Sequence, residues 1–471
     1  MIDFLSRQTV FLSIRLLIPL AEWLRSSILK MYRAFPFKSV LDYFYLRSST
    51  LQFLFAYQLN PAETNNKPTF ELTAQHLARI ASFELEELSV RTADGFLLTM
   101  HHVQSSNAKS KNKNNNKNKS KSKTNNDKAQ VLIIHALMQS SNTFLLGGST
   151  SLVAVLLNAG YDVWLGNCRG NMYSEKHERY GVKDKRYWDF SIDELAKFDL
   201  PAMVNTIRVQ DQTSSSSSSL VLLGFSQGSA IIAAALASKH IKTHDIAAFI
   251  ALAPAIKVKG LSHNFLADLV QARSHLLLGN TSCLSSTLLW REFLSPKAFS
   301  ALNVVAMEYL FGWHSRNISL DRRVQFFQHI FSNTSAKIVK HWFQIIACND
   351  GIVSEYDDNN KNKSRSRSNQ RHARTSSRPW LLSWLKNTDK NSEFEGKNEE
   401  NLYDISAITC PIAVFAGSAD HLIDPMYIQN KNSNCILTHI EEGYEHLDMI
   451  WGDSAHEKIF PKVVEVIDAV V

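Results

Sequence analysis

Three residues of this chain have the types needed to transfer an acyl group together: Ser226, Asp420 and His446. A serine hydroxyl is a poor nucleophile until a base takes its proton. An imidazole does this near neutral pH, and a carboxylate on its other nitrogen selects the working tautomer. The attack builds negative charge on a carbonyl oxygen, so two fixed N–H donors must face it. The backbones of Leu137 and Gln227 are the candidate donors. The candidate set needs no cofactor and no metal.

Each of these residues needs an element to hold it. Ser226 lies in Gly224-Phe225-Ser226-Gln227-Gly228, a G-x-S-x-G pentapeptide. Leu220, Val221, Leu222 and Leu223 before it read as a buried strand, and the small apolar residues through Leu236 as a helix. Strand, tight turn and helix is the context in which this pentapeptide exposes a nucleophile. Residues 412–415 read as a strand that ends just before Asp420, the first-choice acid; Asp424 is the runner-up. His446 lies in the loop after a strand at 436–440, whereas His439 falls within that strand and His456 in the helix that follows. Both of these read as structural or exposed. Residues 131–134 read as a central strand, and the loop His135-Ala136-Leu137-Met138 after it carries the first N–H donor.

The remaining elements fit a mostly parallel sheet. Residues 84–103 read as a hairpin turning at Ala93-Asp94-Gly95. A helix at 151–159 leads to a strand at 161–165 and then to Gly166-Asn167-Cys168-Arg169-Gly170-Asn171, which lacks the spacing and lysine of a phosphate loop. Residues 190–207 have helical spacing, with a kink or restart expected at Pro201. A strand at 247–253 closes at Pro254. Residues 255–346 are apolar, helical in pattern and rich in aromatic rings, Trp290, Trp313, Phe327 and Trp342 among them. They suit a cap over the site, and any single ring there reads as cap core before pocket wall. The expected organisation is therefore 75–254 as the first part of a core, 255–346 as cap and 402–471 as the last part of the core.

The formal net charge of +7 suggests nucleic acid until it is located. The polar insert at 105–129 holds eight lysines and one aspartate, and residues 359–378 hold seven basic residues and no acid. Each carries +7, so the remainder of the chain is net −7. The basicity belongs to low-complexity inserts, at 105–129 and 359–401, so no nucleic-acid partner is expected. Six serines at 214–219 read as a flexible bridge.

Residues 1–60 read as a membrane-associating segment. Two apolar stretches, 10–24 and 40–59, are interrupted by Arg15, Glu22, Asp42 and Arg47, so neither makes a clean span. Lys30, Arg33 and Lys38 lie between them among Trp23, Tyr32, Phe35 and Phe37, which suits a segment dipping into a lipid surface. Arg15 also argues against a secretory signal. Five widely spaced cysteines describe neither a disulfide scaffold nor a metal site, and Cys168 reads as a packed thiol. These features favour an intracellular membrane or lipid droplet, with the catalytic domain on the cytosolic side; the plasma membrane is a second location. The sequons at Asn280, Asn317 and Asn333 point the other way, to a lumen.

Taken together, VRTADGFLLTMHHV, VLIIHALMQSS, LLNAGYDVWLGNCRGNMYS, YWDFSIDELAKFDLPAMV, GFSQG, SADHLIDP and YEHLDMIWG resemble the acid lipase family of α/β-hydrolases. The resemblance covers about 75–350 and 401–465. It implies an α/β-hydrolase fold with a helical cap inserted before the acid strand. It also implies Ser226 as nucleophile, Asp420 as acid, His446 as base, and the Leu137 and Gln227 backbones as oxyanion donors. Two positions depart from the family pattern: Ala136 where glycine is usual, and Phe225 where histidine is common. GFSQG with the apolar first sixty residues and the lysine-rich inserts looks most like the fungal steryl ester hydrolase branch. The resemblance thus implies a steryl ester substrate met at a membrane or lipid-droplet surface. Triacylglycerol is the alternative substrate, and a non-catalytic lipid-binding protein retaining the fold is the alternative of another class. The intact order Ser226, Asp420, His446 disfavours the last; Ala136 is its best support.

Overall fold

A computed structural model describes residues 72–105, 129–211, 219–261, 281–283, 288, 291–292, 294–354 and 402–471. The membrane-associating segment expected at 1–60, the bodies of both basic inserts, most of the serine run and Asn280 lie outside them. Among the described residues no helix is long and apolar enough to cross a membrane.

The strands are β1 (Phe83–Arg91), β2 (Phe96–Ser105), β3 (Gln130–Ile134), β4 (Asp162–Gly166), the short β5 (Lys176–His177), β6 (Leu220–Phe225), β7 (Ala248–Leu252), β8 (Ile412–Gly417) and β9 (Cys435–Glu441). They form one sheet in the order β1-β2-β4-β3-β6-β7-β8-β9, with β5 paired to β2. The pairs β1–β2 and β2–β4 are antiparallel, and every pairing from β4 to β9 is parallel. This is the α/β-hydrolase fold expected from the sequence, with the cap region inserted between β7 and β8. Every residue of β3, β6, β7 and β8 is buried. Parallel strands covered on both faces need apolar residues at each position, which explains why these stretches read as unbroken runs and not as alternations. The hairpin turns as expected, with Thr92 Oγ1 donating to Asp94 Oδ1 at 2.6 Å.

The principal helices are α1 (Ala74–Ile80), α2 (Leu152–Ala159), α3 (Leu200–Asp211), α4 (Gln227–Ala237), α5 (Pro296–Phe311), α6 (Leu320–Phe326), α7 (Ala336–Cys348) and α8 (Phe460–Val470). Helices α2 and α8 pack on each other and on the sheet; α3 and α4 do the same. Residues Gln227 to Leu236 of α4 are all buried, as a helix apolar on every side requires. The irregularity expected near Pro201 takes the form of a π-helical turn, Leu195–Asp199, just ahead of α3. Pro201 has no N–H to donate, and the wider turn absorbs the missing bond.

The two edges of the parallel strands differ. Residue 134 of β3, 225 of β6 and 417 of β8 end on one edge, where the chemistry-bearing loops begin. Ser105 of β2 and Ser219, whose carbonyl accepts from Gln130 at 2.8 Å, lie at the other.

Candidate active site

Ser226 sits between β6 and α4 with φ 54° and ψ −115°. A left-handed φ on a non-glycine residue is strained and needs a surrounding structure that enforces it. Here the enforcement is backbone: Ser226 N–H donates to Leu252 O at 2.9 Å, and its carbonyl accepts from Ser229 at 3.0 Å. The flanking glycines make room. A Cβ on Gly228 would lie 2.1 Å from Ile134 O, and one on Gly224 would lie 2.4 Å from Ser229 N. A side chain at Gly228 would push α4 away from β3, and one at Gly224 would push α4 away from β6. Among the described residues the Ser226 hydroxyl makes no hydrogen bond, and the residue keeps 8% exposure. Ser226 is held by its backbone, and its oxygen is left for another partner.

Asp420 and His446 meet directly. His446 Nδ1 donates to Asp420 Oδ2 at 2.7 Å, with the aspartate side chain fully buried. That bond leaves Nε2 as the proton acceptor. The two turns are stitched together by the backbone, since Ala419 N–H donates to Tyr444 O at 3.0 Å. Asp420 Oδ1 accepts from Leu422 N–H at 3.2 Å, which fixes which oxygen faces the histidine. The runner-up acid is placed elsewhere: Asp424 lies 3.9 Å from Lys257 Nζ and accepts from Met426 N–H at 3.2 Å. The ring of Phe225, the residue before Ser226, lies 5.4 Å from the His446 ring, so the turn at Ser226 and the loop of His446 adjoin. His439 faces Glu441 at 3.1 Å and Lys462, and His456 faces Glu457 at 3.6 Å; neither joins the site.

The loop after β3 is built around His135. This ring is buried, and burial pulls its pKa down to about 4 against the pull of its bond to Ala136. Nε2 accepts from Cys168 N–H at 3.1 Å and lies 3.2 Å from Asn171 Nδ2, so the proton is on Nδ1 and donates to Ala136 O at 2.8 Å. A trans peptide points its N–H opposite to its C=O. Pinning Ala136 O on one side therefore turns the Leu137 N–H to the other. Gln227 is the first residue of α4, so its N–H has no partner within the helix. Among the described residues neither N–H donates to an acceptor. The Gln227 side chain is occupied, accepting from Trp342 Nε1 of α7 at 2.7 Å, which ties the cap to the start of α4. Cys168 is buried, and burial holds its thiol well above the ordinary range, in keeping with a packed residue. All five cysteines are free.

The sequence reading missed a buried ion network behind this loop. Arg169, 3% exposed, donates from Nη1 and Nη2 to Asp94 at 2.6 and 3.0 Å, and from Nε to Asp199 Oδ1 at 2.7 Å. Its backbone N–H donates to Asp199 Oδ2 at 2.9 Å, and its guanidinium lies 4.0 Å over Phe96. The network anchors the segment whose Cys168 N–H orients His135. Replacing Arg169 with methionine strands Asp199, which is fully buried, and is expected to cost about 3–5 kcal/mol. Denaturant midpoints measure this; a loss below about 1 kcal/mol would mean that Asp199 finds another partner or stays neutral.

Another carboxylate, Asp448, follows two residues after His446. Burial pushes Asp448 up to about 6, against the pull of Asn317 and the Glu445 N–H, and the carboxylates of Glu445 and Asp420 add to the rise. Both amide protons of Asn317 are committed, to Gly443 O and Asp448 Oδ2, each at 2.8 Å. A glycan at this sequon would break one of them. Among the described residues Asn333 bonds only Glu175, at 3.1 Å, through its amide nitrogen.

Residues 130–453 match the alpha/beta hydrolase fold family, and residues 74–148 match the partial alpha/beta-hydrolase lipase region. The chain belongs to the α/β-hydrolase family. Within it, this hydrolase is similar to a Schizosaccharomyces pombe protein named as a probable lipase, with 31% identity over 91% of this chain and 85% of the relative. It is 27% identical to the gastric triacylglycerol lipase of Rattus norvegicus, over 85% of this chain and 92% of the relative. It is 26% identical to lipase member K of Homo sapiens, over 85% and 92%. The hydrolase is thus a carboxylic ester hydrolase of the lipase and esterase group, acting on apolar esters. These relatives do not single out a steryl ester branch.

Proposed function

We propose that this hydrolase is a serine lipase that cleaves long-chain acylglycerols through an acyl-enzyme on Ser226. The buried 2.7 Å bond between His446 and Asp420, on the sheet edge that carries the strained Ser226, supports this most strongly. Ser226 Oγ attacks the ester carbonyl carbon as His446 Nε2 takes its proton. The oxyanion meets the N–H groups of Leu137 and Gln227. Collapse of the tetrahedral intermediate expels the alcohol, which leaves with the proton from His446. Water, deprotonated by the same histidine, then releases the fatty acid from the serine. Acylglycerol is the first choice of substrate because the relatives include a triacylglycerol lipase. Steryl esters are the second reading, carried by Gly224-Phe225-Ser226-Gln227-Gly228 and the apolar first sixty residues.

The test is a purified-protein panel of trioleoylglycerol against cholesteryl oleate, both emulsified, with fluorophosphonate labelling of the serine. Fatty acid release from trioleoylglycerol several-fold faster than from cholesteryl oleate is expected. The reverse ratio selects the steryl ester reading, and no label on Ser226 removes the serine mechanism. Residues 1–60 support work at a lipid surface; recovery of the whole chain as soluble protein after cell fractionation would remove that part.

A further inference from the structure

The base is not held by its loop alone. Helix α5 ends at Gly312, whose φ of 73° turns the chain sharply and delivers Trp313 to the site. The indole lies flat on His446, with centroids 4.7 Å apart and planes 7° from parallel. Phe311 also stacks on the indole, at 4.3 Å and 23°. Trp313 is 5% exposed, yet its indole N–H has no acceptor among the described residues. A buried donor without a partner is costly, and phenylalanine would fill space there without that cost. Space filling alone therefore does not account for a tryptophan here.

The same stretch is clamped from behind. The Glu445 carboxylate accepts from His314 N–H at 2.8 Å and from Ser315 N–H at 2.7 Å, and lies 3.2 Å from His314 Nδ1. Asn317 ties to Gly443 and Asp448. Cap residues just after the indole are thus bonded to loop residues on both sides of His446. These bonds set the position of the indole plane relative to the imidazole plane.

We infer that Trp313 and Glu445 are positioning residues for His446. Glu445 docks the cap segment, and the Trp313 face holds the imidazole in the plane where Nδ1 meets Asp420. When Nε2 takes the proton of Ser226, the ring becomes a cation against a π face, which favours that state. The inference rests on His446 being the general base of the proposed mechanism. It makes the cap part of the proton-transfer machinery as well as a cover.

The experiment uses the full chain with Trp313→Leu, Trp313→Phe and Glu445→Gln. For each, kcat and KM are measured on p-nitrophenyl acetate and p-nitrophenyl palmitate, alongside the rate of fluorophosphonate labelling and the melting temperature. Misorientation of a catalytic group costs up to about a hundredfold, so Trp313→Leu is expected to lower kcat about 30-fold on both esters, with KM within about threefold. Phenylalanine restores the flat face and is expected to recover about a third of the wild-type kcat. Glu445→Gln is expected to lower kcat about fivefold and to slow labelling in proportion. A loss confined to KM for the palmitate ester would make Trp313 an acyl-pocket wall and overturn the inference. A Phe variant as impaired as Leu would do the same, since the indole N–H would then be the working group. If Trp313→Leu does not fold, wild-type kcat in Glu445→Gln overturns the clamp by itself. Failure of the wild-type protein to label on Ser226 would defeat the serine mechanism itself, a result distinct from variants that label at the wild-type rate.

Discussion

Asp420→Asn is expected to lower kcat about ten-thousandfold while the protein stays folded, as the same exchange does in another serine triad. The mechanism is a tautomer switch. Leu422 N–H bonds Asp420 Oδ1 and would keep the amide oxygen of the asparagine there. The amide NH2 would then face His446 Nδ1, which must become an acceptor. The imidazole proton moves to Nε2, and the ring loses the lone pair that deprotonates Ser226. Asp424→Asn is the control. Its carboxylate lies 3.9 Å from Lys257, with both side chains about a quarter exposed, so the change removes a weak surface pair. Its kcat is expected to stay within about threefold of wild type. Steady-state rates on a soluble ester decide the matter. A collapse of Asp424→Asn beside a normal Asp420→Asn would reverse the assignment.

Ser226→Ala is expected to lower turnover at least about a thousandfold and to abolish phosphonate labelling. It is also expected to leave the melting temperature unchanged or slightly raised. The Ser226 hydroxyl bonds nothing among the described residues, so its removal costs no hydrogen bond. Alanine keeps the same Cβ in the same strained backbone, held by Leu252 and Ser229. Sites arranged for catalysis often gain stability when the reacting group is removed. A folded alanine variant that retains more than about a tenth of wild-type rate would sink the nucleophile assignment.

Some of this was legible because each signal is local. The strand runs at β3, β6, β7 and β8 are unbroken because both faces are covered. The structure places Ser226, Asp420 and His446 where the sequence reading expected them, each just past a strand of the same sheet. Arg169, Asp94 and Asp199 were invisible for the opposite reason. Each is an ordinary charge beside a turn or helix, and only the folded chain brings them within 3.0 Å. Asp94 read as a turn residue, which it is, but it also accepts from the guanidinium. Trp313 was one ring among many in the cap; helical spacing says nothing of a residue placed beyond a glycine cap. Glu445 carried no signal, because its partners are backbone N–H groups of a distant segment.

The difference between the two edges of the sheet bears on how such a chain can change over generations. Every residue assigned to the chemistry lies at or beyond the ends of β3, β6, β8 and β9, on one edge. Ser105, Ala129 and Ser219, described residues that flank the low-complexity stretches, lie at the other edge. Lengthening a loop there is cheap, since each doubling adds only about 0.6 kcal/mol of closure entropy. Selection on hydrolysis is therefore blind to most of what accumulates between those residues. That edge is a port where a lineage can acquire or discard tethers, charge or modification sites while the reaction at the opposite edge is inherited intact.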